Sequence, residues 1–78
     1  MKAMTCAQLG GACDKKLRAN TFEELARLSQ QHGEEMLQKQ DAQHLEAMKK
    51  MQLLMKEPAK MQEWFESRQA EFDALPED

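Results

Sequence analysis

At 78 residues, with 32% charged and only 5% aromatic side chains, the chain is one small domain with little core to spare. Its net charge of −3 is uneven: residues 1–18 hold four basic side chains and one acidic, residues 19–78 seven basic and thirteen acidic. Four positive charges at one end are too few for sustained phosphate contact, which argues against a nucleic-acid binder, and no stretch nears the ~20 apolar residues of a membrane span.

Valine, isoleucine and tyrosine are absent, while methionine occurs seven times. Without β-branched apolar residues an extensive sheet is not expected. The composition predicts an α+β fold dominated by helix, as a single domain over 1–78: a hairpin or knuckle (1–20), helices (21–75) and a tail (76–78). After Met1-Lys2 the apolar run is broken by Thr5, Gln8 and two glycines, so no secretion signal is expected. The cytoplasm is the expected compartment, where thiols stay reduced.

In chain order, residues 2–6 and 15–19 are the only plausible strands. Gly10-Gly11 between them can reverse the chain at positive φ without steric cost, giving an antiparallel hairpin with a wide turn. The alternative is a helical turn over Cys6–Leu9 after one short strand. Thr21-Phe22-Glu23-Glu24 fits a capping box and opens a first helix over 21–38, with Phe22, Leu25, Leu28/Ser29, His32 and Met36 at buried-face spacing. Gly33 costs that helix about 1 kcal/mol relative to alanine, which implies either a close backbone neighbour or a weak point.

Asp41 is a good N-cap for a second helix over 42–56, lined by Leu45, Met48, Met51, Leu54 and Met55. Pro58 suits the first turn of a third helix over 58–74. That helix carries Met61, Trp64, Phe65, Phe72 and Leu75 on one face, interrupted by Arg68, whose head is expected in water. The link at Glu57 is short enough to require a sharp kink.

The reactive residues concentrate at the start. Cys6 and Cys13, with six residues between them, would face each other across the glycine turn. With His32 they form a candidate three-ligand site for zinc or copper, since zinc takes sulfur and imidazole in a tetrahedron; Asp14 is a candidate fourth ligand or an orienting group. The same thiols form a candidate redox switch if the turn sets their Cα atoms about 5.5 Å apart. Against both stands the plain reading that free cysteines are small buried hydrophobes. His44, Met48, Met51 and Met55 share one side of the second helix, a set suited to Cu(I), although methionines at this spacing are more commonly core or interface filler.

Met4-Thr5-Cys6, Leu9-Gly10-Gly11, Cys13-Asp14, then Thr21-Phe22-Glu23-Glu24-Leu25 and His32 resemble a family of short bacterial and archaeal proteins catalogued as a domain of unknown function. The resemblance covers residues 1–37. It implies a bacterial or archaeal cytosolic protein with paired N-terminal cysteines and a histidine-bearing helix, and it implies no activity. Family members often carry a second histidine further along that helix, where this chain has Leu37.

For catalysis the inventory is poor: two serines, no phosphate-binding glycine loop, and too short a chain to enclose a pocket of a few hundred Å³. Enzymatic activity is not favoured but stays open; the leading expectation is a structural or interaction protein with no cofactor, forming a homo-oligomer or binding a protein partner, and self-associating through the methionine face of the second helix and the aromatic face of the third. The alternative is a metal-binding or redox module built on Cys6, Cys13 and His32.

Overall fold

The computed structural model describes residues 1–77; of the expected tail, Asp78 lies outside the described residues. The fold is α+β and helix-dominated: strands β1 (Lys2–Thr5) and β2 (Lys16–Ala19), then helices α1 (Phe22–Gln38), α2 (Ala42–Met55) and α3 (Pro58–Ala74). The strands pair antiparallel with Met4 opposite Leu17 and Lys2 opposite Ala19. The two readings of the connection are both partly right, because a 3₁₀ turn at Ala7–Leu9 sits inside the hairpin.

Each helix starts where its cap dictates. Thr21 Oγ1 accepts from the Glu24 amide at 3.2 Å. Glu24 reaches back one residue further than a capping box requires, its carboxylate accepting from the Asn20 amide. Asp41 caps α2 through the His44 amide at 3.0 Å, and Pro58 opens α3. The α1–α2 turn is tight: Gln40 sits at φ 55°, with Gln40 N–H donating to Leu37 O and Asp41 N–H to Met36 O. This is the Schellman pattern, with glutamine where glycine is usual.

The apolar core comprises Met4, Leu9, Leu17, Ala19, Phe22, Leu25 and Phe72, with Leu28 and Leu75 against it. It fills the space where α1 and α3 cover the hairpin. Phe22 anchors the aromatics, edge-on to Phe65 at 5.2 Å and tilted against Phe72 at 5.8 Å. After the turn at Lys56–Glu57, α3 returns to the hairpin, where Lys2 Nζ donates to Asp73 O at 3.0 Å and lies over the Phe72 ring. Arg68 departs from expectation. Its guanidinium donates to Gln8 O at 3.1 Å and pairs with Glu71 at 2.7 Å, so the head ties α3 to the hairpin loop.

Gly33 also resolves against the close-packing expectation. A Cβ there would meet only the Met48 methyl, at an ordinary 3.8 Å. The molecule measures 33 × 29 × 16 Å. The apolar core lies where α1 and α3 meet the hairpin, whereas the buried residue that α2 contributes is a polar one, His44.

Candidate metal centre

The hairpin loop is built to present its thiols. Its neck is closed by Cys6 N–H donating to Lys15 O at 2.9 Å and Ala7 N–H to Cys13 O at 2.8 Å. The Cys6 carbonyl then accepts from both Leu9 N–H and Gly11 N–H, which curls the chain around it. Gly10 supplies the reversal at φ 93°, a conformation that disfavours L side chains. Gly11 is required for a different reason: a Cβ there would overlap Cys6 Sγ.

Two helices close over this loop. His32 comes from the third turn of α1 and His44 from the first turn of α2. The Schellman turn sets their rings 5.3 Å apart in a T-shaped arrangement. Cys6 Sγ lies 3.6 Å from His44 Nε2, and Cys13 Sγ lies 3.2 Å from His32 Nε2. One ligand atom from each of Cys6, Cys13, His32 and His44 falls within 4.8 Å of every other. Cys6, His32 and His44 are buried, at 5% exposure or less, and Cys13 is half-buried.

Zinc–sulfur bonds of about 2.3 Å and zinc–nitrogen bonds of about 2.0 Å give a tetrahedron with edges of about 3.3–3.8 Å. The sulfur–nitrogen separations of 3.6 and 3.2 Å match those edges closely. Four such atoms gathered in a small chain can hold a metal ion, and both cysteines are free thiols.

The two histidines have different surroundings. His44 Nδ1 lies 2.6 Å from Asp41 Oδ2, the carboxylate that also caps α2. This bond favours the neutral tautomer protonated on Nδ1, in which Nε2 is the donor facing Cys6. It pushes the His44 pKa up against the effect of burial, and holds the Asp41 carboxyl below its ordinary range. His32 shifts the other way, lowered by burial first and then by Lys15 and His44. Its Nδ1 is buried without a hydrogen-bond partner, a deficit of about 1–3 kcal/mol for an orphaned polar atom.

Of the residues singled out in the sequence, Cys6, Cys13 and His32 are brought together. Asp14 is exposed and stands outside the group, and Leu37 is exposed on α1. The fourth member of the group is His44, which the spacing placed in the methionine set of α2. The available signal was Asp41-x-x-His44: a helix-capping carboxylate three residues before a histidine is also a carboxylate placed to orient that ring. No helix is long and apolar enough to cross a membrane among the described residues. No protein-family model, no curated protein and no solved structure matches this chain, so the functional reading rests on the geometry of these residues.

Proposed function

We propose that the protein is a small zinc-binding module whose four ligands are Cys6, Cys13, His32 and His44, and in which the metal fastens the hairpin loop to the α1–α2 pair. The observation that carries this reading is the mutual approach of two sulfurs and two imidazole nitrogens within 4.8 Å. Two thiolates and two neutral imidazoles are the donor set of closed, structural zinc sites. Asp41 would act on His44 as carboxylates act on ligand histidines elsewhere, fixing the tautomer and strengthening the donor. The resemblance of residues 1–37 to a family with paired N-terminal cysteines belongs to the same proposal, since those cysteines and His32 are three of the four ligands.

Elemental analysis of protein purified without chelator or nickel resin tests this directly. Stoichiometric zinc is expected, with Cys13→Ser and His44→Gln each losing most of the metal and melting at lower temperature, because binding and folding are coupled at such sites. Metal-free protein whose melting temperature ignores added zinc would refute the reading.

Self-association is a second reading, favoured by Leu53 and Met55, which stand 62% and 58% exposed near the end of α2. It requires a mass above the 9.0 kDa monomer in sedimentation equilibrium at micromolar concentration. A strict monomer would remove it.

A further inference from the structure

Beside the cysteine–histidine cluster lies an open cleft of about 330 Å³ whose wall includes both Cys6 and His44. Met48, Met51 and Met55 of α2 and Gly33 of α1 also line it. No Lys, Arg, Asp or Glu lines it among the described residues.

Two features set these methionines apart from core filler. Met55 is 58% exposed and belongs to no buried cluster. Gly33 weakens α1, and neither positive φ nor a close neighbour requires it; its missing side chain leaves the cleft open against Met48.

We propose that this cleft is a subsite for a soft monovalent metal ion of the Cu(I) class, where the thioethers of Met48, Met51 and Met55 receive the ion and pass it to the Cys6 thiolate. This rests on the zinc-site reading for the identity of the neighbouring centre. Thioethers are neutral, polarisable donors that favour Cu(I) over harder ions. The absence of carboxylates selects further: no Asp or Glu among the described residues lines the cleft to attract a hard divalent ion, while the thioethers and the Cys6 sulfur suit a soft monovalent one. No electron moves in the exchange: the incoming monovalent ions bond to the Cys6 and Cys13 thiolates as the two zinc–sulfur bonds break, the imidazoles of His32 and His44 are released neutral, and Zn²⁺ leaves to solvent.

Silver(I), the redox-inert member of this class, is the probe. Zinc-loaded protein is titrated with silver nitrate in chloride-free buffer, following zinc release with a chromophoric indicator and the methionine methyl signals by NMR. The comparison is a triple variant, Met48→Leu with Met51→Leu and Met55→Leu, which keeps volume and apolarity and is expected to retain zinc and melting temperature. In the wild type the methyls of Met48, Met51 and Met55 should shift while those of Met36 and Met61 stay. Zinc release from the triple variant should slow by about tenfold, the loss typical when groups supporting a metal centre are removed. Release at the wild-type rate, or methyl shifts in the cleft no larger than at Met36 and Met61, would overturn the proposal. If the purified protein holds no zinc, the metal-centre reading fails, and the methyl shifts alone still decide the cleft.

Discussion

Gly11 and Gly33 show how one residue type serves opposite ends around a single site. A methyl on Gly11 meets Cys6 Sγ and the Cys6 carbonyl, both fixed by the curled loop. Gly11→Ala is therefore expected to lower stability by about 1–3 kcal/mol, as overpacking does, and to reduce metal content. Gly33→Ala gains helix propensity of about 1 kcal/mol with only a methyl contact to accommodate, so its denaturant midpoint should rise. Unfolding curves for both variants check this, and opposite signs are the expected outcome. Asp41 joins two roles that a substitution can separate. Asn caps a helix as well as Asp but brings no carboxylate to His44 Nδ1. Asp41→Asn should leave the metal-free melting temperature nearly unchanged and weaken zinc binding by about 10–100-fold, measured by competition with a chromophoric chelator. A parallel loss of both would mean that the Asp41–His44 contact supports the fold itself rather than tuning the ligand.

Among the elements, the α1–α2 turn has the largest consequence for the site, because it sets His44 against His32. Gln40 holds a left-handed conformation that costs an L residue about 1–2 kcal/mol. Gln40→Gly should recover about 1 kcal/mol in chemical denaturation, with metal binding intact; a destabilised variant would show that the glutamine side chain contributes more than the strain removes. This turn also explains what the sequence revealed and what it hid. The helices were legible because Thr21, Asp41 and Pro58 are local start signals, and the observed elements begin within one residue of the expected positions. Cys6, Cys13 and His32 were legible because the glycines bring the thiols together and His32 lies on the inward stripe of α1. His44 was hidden among methionines at helical spacing, and its approach to Cys6 depends on a tight turn with no glycine to announce it. Asp14 misled by adjacency: it follows Cys13 directly but is exposed and lies outside the cluster.

At the scale of the whole molecule the two sides of the hairpin are held together differently. The α3 side has the apolar core around Leu25 and Phe72. The α2 side has a cluster of sulfur and nitrogen donors that includes an orphaned imidazole atom. Removing metal should therefore loosen the molecule unevenly. Amide exchange in the chelated protein is expected to speed up through α2 and the Ala7–Asp14 loop, while the β1–β2 pair and the first half of α1 keep their protection. Such sub-global opening is what a low local density of apolar contacts produces. Uniform loss of protection, or none, would contradict this division.

The four donors lie at positions 6, 13, 32 and 44, with both sulfurs ahead of both imidazoles, and this order has a consequence during synthesis. At about 5–20 residues per second, the ribosome needs about 2–6 s to move from the second sulfur to the second imidazole. On the zinc-site reading, a newborn chain displays a bare dithiol until His32 is made and lacks its fourth donor until His44 follows. If the cluster is a metal centre, every copy thus passes through a stage at which a disulfide or an opportunistic thiophilic ion can claim the pair first, and the reducing state of the compartment at birth helps decide how many chains acquire the metal.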